Sequence, residues 1–177
     1  MNIAIFGSAL SDPEQKNITL ASHMGREVAK RKHTLVTGGC VGIPSYAIAE
    51  AFNNNGETHG YFPVHKEEEI HNLAHIYNND TSENYTQKIF LRGFSKRSIA
   101  MIENVDAVII INGRMGTLSE FAMAIEEGLP IVVMNGSGGI TDHIKEILAM
   151  TGRSDYEKIF FTDSATLAID WIESSQN

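Results

Sequence analysis

Residues 106–120 read DAVIIINGRMGTLSE. An apolar run, Ala107 to Ile111, is closed by Asn112 and Gly113; Arg114, Met115 and a second glycine then lead to Thr117 and Glu120. A short continuous apolar run bounded by turn residues is the pattern of a strand buried on both faces, as in a parallel sheet. The residues after it suit a helix over Thr117 to Glu127, stopped by Gly128 and Pro130. Glycines at such a junction let backbone N–H groups approach a ligand, and the start of a helix adds unpaired N–H groups and a positive dipole end. The stretch therefore predicts a turn that holds an anion as well as joining two elements.

The same order of strand, glycine turn and helix recurs on either side. NIAIF (2–6) reads as a first buried strand ending at Gly7-Ser8, with Ser11 or Asp12 as cap and Pro13 in the first turn of a helix reaching Lys32. TLVT (34–37) and the turn GGCVG (38–42) lead into a helix over Pro44 to Asn53, and ETHGYFP (57–63) gives a third strand. The polar stretch to Thr86 predicts a loop-rich insertion with a short helix, and KIFL reads as a strand or as the start of a helix. A helix through Arg97 to Glu103 precedes DAVIII. IVVM (131–134), a glycine-rich turn, a helix over Thr141 to Met150, KIFF (158–161) and a last helix over Ser164 to Glu173 follow it. Strands alternating with helices predict one α/β domain over 1–177, a Rossmann-like three-layer sandwich with a mainly parallel central sheet.

Composition bounds what such a domain does. Its 177 residues, 42% of them hydrophobic, suit one core. Fourteen Lys plus Arg against twenty-two Asp plus Glu leave a net charge of −8. A chain of that charge repels nucleic acid, so an anionic ligand is expected to be small and held locally. The single cysteine, Cys40, excludes an internal disulfide framework, and Met1 runs straight into strand-like sequence with no leader pattern. No apolar run approaches the roughly 20 residues that cross a bilayer. A cytoplasmic protein that inserts in no membrane is expected.

Ligands in open α/β sheets sit beyond the carboxyl ends of the strands, where strand order reverses. Three strand exits carry small residues, and they supply the candidate phosphate- and nucleotide-binding positions: Gly7 and Ser8, then Gly38, Gly39 and Gly42, then Gly113, Arg114, Met115, Gly116 and Thr117. None of the three matches GxGxxG or GxxxxGK[ST], so neither a nicotinamide dinucleotide nor ATP is indicated, and no cofactor is expected. Nothing marks a lysine for a pyridoxal Schiff base.

RSIAMIENVDAVIIINGRMGTLSE (97–120) resembles the signature of the LOG ("lonely guy") family of phosphoribohydrolases, once mislabelled lysine decarboxylases. There an Arg-Lys pair precedes a strand and a PGGxGTxxE loop. Arg97 stands at the family's arginine, and Gly113, Gly116, Thr117 and Glu120 fall on the first glycine, third glycine, threonine and glutamate. IFGSA and LVTGGCVGIPSYAIAEAFNNNG resemble the family's opening strand and GGxxG turn, so the resemblance covers most of the chain. Asn112 replaces the motif's proline, Arg114 its second glycine and Ser98 the lysine. These departures place the chain nearer a wider LOG-like group that includes molybdenum-cofactor carrier proteins.

The resemblance implies hydrolysis of the N-glycosidic bond of a nucleoside 5′-monophosphate to free base and ribose 5-phosphate, with Glu120 and Arg97 as the catalytic pair, and it implies a homo-oligomer. Glu120 suits stabilisation of an oxocarbenium-like state or activation of water, with the phosphate at the first-turn N–H groups and the Thr117 hydroxyl. Arg97 stays protonated and orients that carboxylate or pairs with substrate. The alternative is a non-catalytic carrier or sensor holding a nucleotide or molybdopterin on the same loops. Taken alone, Glu120 also reads as an exposed helix carboxylate and Arg97 as a surface cation. Cys40 reads as a small buried residue. Glu67, His71 and His75, spaced by four, lack the HExxH order, so no metal is expected.

Overall fold

The computed structural model describes residues 1–9, 12–73, 83–154 and 156–176. Strands β1 (Asn2–Gly7), β2 (Thr34–Thr37), β3 (Thr58–Phe62), β4 (Gln87–Phe90), β5 (Ala107–Ile111), β6 (Ile131–Met134) and β7 (Ile159–Thr162) form one sheet. Their order is β4-β3-β2-β1-β5-β6-β7, and all neighbouring pairs are parallel. The chain winds outward from β1 through β2 to β4, then returns past β1 to lay down β5 to β7, so the order reverses between β1 and β5.

The two-residue period of a strand divides each apolar run between two cores. Ile3, Ile5, Leu35, Ile109 and Ile111 face one side, where α1 (Gln15–Lys30), α2 (Ile43–Asn53) and α6 (Ala165–Ser174) cover them. Ala4, Phe6, Val36, Val108 and Ile110 face the other, under α3 (Phe94–Ile102), α4 (Met115–Glu126) and α5 (Ile144–Met150). All five residues of β5 are fully buried, which is why its sequence is continuous rather than alternating. Each buried Val or Ile contributes roughly 1.5–3 kcal/mol. Three-layer α/β architecture is thus what the sequence pattern leads to, and the sheet is parallel throughout.

Several local expectations change. The first helix begins at Gln15, after Asp12 and Pro13, and Glu14 at its N-cap makes no side-chain capping bond; Ser11 lies outside the described residues. Residues 87–90 form a strand, pairing β3 from His59↔Gln87 to Phe62↔Phe90. The segment before it holds a short 3-10 helix, Glu67–Leu73. Helix α4 starts at Met115, two residues before Thr117, and the segment read as one helix from Thr141 is a 3-10 turn, Gly139–His143, followed by α5. Among the described residues no helix is long and apolar enough to cross a membrane.

Helices α1 and α2 pack backbone against backbone at Gly25, where an added Cβ would lie 2.0 Å from the carbonyl oxygen of Ala47. Gly25→Ala therefore lowers stability by about 1–3 kcal/mol through overpacking, although an exposed helical glycine gains roughly 0.5–1 kcal/mol from the same change. Urea denaturation of the variant beside the parent protein checks the sign.

Candidate functional site

Helix α3 begins behind Gly93, which adopts φ +92°, and its fourth and fifth residues are Arg97 and Ser98. Both turn toward α4. Arg97 Nη1 donates to Glu120 Oε1 at 2.9 Å, and Ser98 Oγ donates to the same oxygen at 3.2 Å. The two charged residues are 8% and 9% exposed, so Glu120 is not a surface carboxylate and Arg97 is not a surface cation. Burial pushes the Glu120 carboxyl above its ordinary value despite the opposing pull of Arg97 and Ser98. Behind the pair lies Gly38: a Cβ there would come 2.2 Å from Arg97 Nη1. The glycine after β2 is thus required by the guanidinium packed on its backbone.

Arg97, Ser98 and Glu120 line a cleft of about 390 Å³ between α3 and α4, together with Phe94, Met123 and Gly116. Gly116 belongs to the first turn of α4, and nothing lies within 4 Å of where its Cβ would be. Arg114, at the N-cap, makes no side-chain capping bond. The first-turn N–H groups, the positive dipole end and the Glu120 carboxylate therefore belong to one cleft. They are separated by at most about 7.5 Å along the axis, at roughly 1.5 Å per residue. Arg114, Met115 and Gly116 are exposed at this helix start, Met115 by 77%.

The remaining loop positions divide between structural and open roles. A Cβ on Gly7 would meet Ile111 O and Ile43 at 2.8 Å, so this glycine lets β1, β5 and α2 converge. Ser8 is 2% exposed, its carbonyl accepts from Ile43 N–H at 3.0 Å, and its hydroxyl has no hydrogen-bond partner among the described residues. Gly39, at φ +74°, lies under the Phe62 ring, and its N–H faces Thr37 Oγ1 at 3.3 Å. Gly42 adopts φ +85° at the N-cap of α2 and receives the Ser45 hydroxyl on its carbonyl at 2.7 Å. Gly38, Gly39 and Gly7 thus shape the site through close packing.

Two donors expected to hold phosphate are engaged elsewhere. The Thr117 hydroxyl donates to Gly7 O at 3.3 Å, tying α4 to the end of β1. Gly113 N–H donates to Asn112 Oδ1 at 2.7 Å, and Gly113 O accepts from Ile140 N–H at 3.1 Å. Asn112 adopts φ +60°, a left-handed conformation that asparagine tolerates and proline cannot enter. Its N–H donates to Ser137 Oγ and its Nδ2 to Ser137 O, both at 2.7 Å. The Asn112–Gly113 turn is therefore latched to the turn after β6, and the substitution of the motif's proline brings a different backbone with it.

Sequence reasoning missed Ser98, Ser137 and Tyr85. The Tyr85 hydroxyl lies 2.9 Å from Thr37 Oγ1, its ring meets Phe62 edge to face at 5.4 Å, and burial raises its pKa. Ser98 was visible only as a departure from a motif, and Ser137 only as one residue of a glycine-rich turn. The Cys40 thiol is pushed up to about 11 by burial, which suits an inert packing residue. Glu67 pairs with Lys88; the side chain of His71, and all of His75, lie outside the described residues. Among the described residues no cluster of three or more His, Cys, Asp or Glu could hold a metal.

A family model describing the SLOG cluster4 family matches residues 1–169. The chain belongs to the SLOG cluster4 family. An uncharacterised protein of Archaeoglobus fulgidus is 27% identical over 128 residues, covering 72% of this chain and 76% of its own. The molybdenum cofactor binding protein of Rippkaea orientalis superposes with a TM-score of 0.78 at 20% identity, over 99% of this chain and 97% of that one. DNA processing protein A of Helicobacter pylori, described with single-stranded DNA, superposes with a TM-score of 0.66 at 18% identity, over 99% and 80%. At such identities the structural similarities establish the shared fold, while the family match places the chain in the LOG-like Rossmann group.

The latch gives a direct test of the family substitution. Asn112→Pro loses the left-handed backbone and three hydrogen bonds, and is expected to cost about 3 kcal/mol or more. Asn112→Gly keeps the backbone and loses only the side-chain bonds, so its cost is smaller, on the order of 1–2 kcal/mol. Chemical denaturation of both variants checks the order.

Proposed function

We propose that the chain binds a nucleoside 5′-monophosphate in the cleft between α3 and α4 and hydrolyses its N-glycosidic bond. The supporting observation is that Gly116 of the α4 first turn, Arg97 and Glu120 line one cleft. In this reading the phosphate sits against the first-turn N–H groups of α4, with the Ser8 hydroxyl and the Arg114 guanidinium as further donors. The ribose extends along α4 and brings its anomeric carbon toward Glu120. The leaving base lies toward Phe94 and Ile99, which are 46% and 48% exposed.

The C–N bond breaks as positive charge builds on the ribose, and a buried carboxylate stabilises that cation more strongly than one in water. The base departs with the C–N electron pair and takes a proton from solvent, while water bonds to the anomeric carbon and gives its proton to Glu120. Arg97 fixes one carboxylate oxygen, so the other is free to face the ribose. The Ser98 bond to the same oxygen holds the rotamer without adding the positive charge that a lysine brings.

A second reading, a carrier that holds a molybdopterin or nucleotide without cleaving it, is favoured by one observation. The Gly113 N–H is engaged by Asn112 Oδ1, so one donor of the hydrolase loop is withdrawn. Similarity in fold to the Rippkaea orientalis protein accords with it. The net charge of −8 argues against a DNA ligand despite the similarity to DNA processing protein A. A homo-oligomer is part of both readings, and light scattering on the purified protein tests it.

Incubation with a panel of nucleoside 5′-monophosphates is expected to release free base and ribose 5-phosphate, with Glu120→Gln reducing the rate by a factor of about 10² or more. No release, together with thermal stabilisation by a nucleotide or pterin, selects the carrier. Activity requires ionised Glu120, and burial raises that group above its ordinary 4.5. The rate therefore rises with pH through a limb placed above 4.5 and falls on acidification. A pH profile of kcat/KM that stays flat on acidification removes Glu120 from the base role.

A further inference from the structure

A second cleft, of about 280 Å³, lies where the first half of α1 faces the turns leaving β6 and β7, and its lining shares no residue with the Arg97–Glu120 cleft. Lys16, Leu20 and His23, spaced four and three residues apart, present one helical face to it. Across from them stand Asn135, after β6, and Asp163, after β7, with Asn17 and Ser137 also lining the space.

Asn17 and Ser137 mark this place as built. Each is 2% exposed, and Asn17 Nδ2 donates to Ser137 O at 2.8 Å. Asparagine is a poor helix former, and burying its amide costs stability unless it is hydrogen-bonded, a need that the Ser137 carbonyl meets. The walls carry opposite charge: Lys16 on the helix and the Asp163 carboxylate opposite, with the Leu20 and His23 side chains following Lys16 along the same helical face. A ligand of one sign would meet like charge on one wall; a ligand carrying both signs satisfies both. Sites for drug-sized ligands run to roughly 300–1,000 Å³, so this one suits a smaller molecule.

We propose that this cleft binds a small zwitterion, an α-amino acid being the plainest member of the class, with its carboxylate toward Lys16 and His23 and its ammonium toward Asp163. Lys16 Nζ lies 3.1 Å from Glu14 Oε2, but both side chains are more than half exposed, and a ligand carboxylate competes readily with so weak a pair. Ser137 O accepts from Asn17 Nδ2 at 2.8 Å and from Asn112 Nδ2 at 2.7 Å. A ligand seated against Asn17 thus stands two hydrogen bonds, through Ser137 O, from the Asn112–Gly113 turn that precedes α4.

Titration calorimetry of the full chain with the standard amino acids, one at a time and without nucleotide, tests the site. At least one is expected to bind, with affinity falling about tenfold in Lys16→Ala and in Asp163→Asn. Both residues are exposed at the rim, and thermal unfolding checks that the variants stay folded. Binding by none of the amino acids, or binding that survives both substitutions, overturns the proposal. In an NMR titration with the same amino acid, movement of the Gly113 amide resonance supports the link through Ser137 O, and a fixed resonance overturns it. Because no nucleotide is present, the outcome stands apart from the hydrolase reading.

Discussion

The ion pair between Arg97 and Glu120 is the constraint around which the carboxyl end of the sheet is organised. Two charges taken out of water lose several kcal/mol of hydration each, and their attraction restores this only where geometry and further hydrogen bonds are good. The pair meets that demand by recruiting three segments. Helix α3 supplies Arg97 and Ser98, α4 supplies Glu120, and the exit of β2 supplies Gly38, whose missing side chain leaves room for the guanidinium. Removing either charge leaves the other buried without its ion-pair partner, at about 3–5 kcal/mol. A protein seeking stability alone would place apolar residues here, so the pair points to chemistry or recognition in the cleft beside it.

Topology explains why these segments meet. Strand order reverses between β1 and β5, the position at which open α/β sheets place a crevice beyond their strand ends. Gly7 and Ser8 end β1 at that crevice, and α4 begins over it. The register Gly7↔Ile111 sets the two exits side by side, and the Thr117 hydroxyl fastens α4 to Gly7 O across the gap. What lies in the crevice is therefore fixed by strand order before any side chain is considered.

Much of this was legible in the residues. The continuous apolar run of β5 announced a parallel sheet, and the three small-residue exits fall at the carboxyl ends of β1, β2 and β5. The resemblance to the LOG signature paired Arg97 with Glu120, and the two hydrogen-bond in the structure. What stayed hidden depends on contacts distant in sequence. No local pattern says that Asn17 and Asn112 converge on the carbonyl of Ser137, or that Gly38 yields its side-chain space to Arg97. The starts of α1 and α4 were misplaced by two or more residues for a related reason. Ser11, Asp12 and Thr117 have the chemistry of caps or first-turn residues, yet α1 starts after Asp12, and the backbone at Arg114, held by the turn before it, starts α4 ahead of Thr117.

Motif spacing and motif function separate at the Asn112–Gly113 turn. Gly113 and Thr117 stand where the family pattern has a glycine and a threonine, but the N–H of the first is taken by Asn112 Oδ1 and the hydroxyl of the second by Gly7 O. The spacing preserves the path of the backbone and the position of the carboxylate. It does not preserve the donors. An anion at this helix start must then rely on groups the motif does not name: the open N–H groups of α4, the Ser8 hydroxyl, and a guanidinium at position 114 where a glycine would supply only backbone. Arginine there is consistent with that shift, because a mobile fork can reach an anion that the latched Gly113 amide no longer serves.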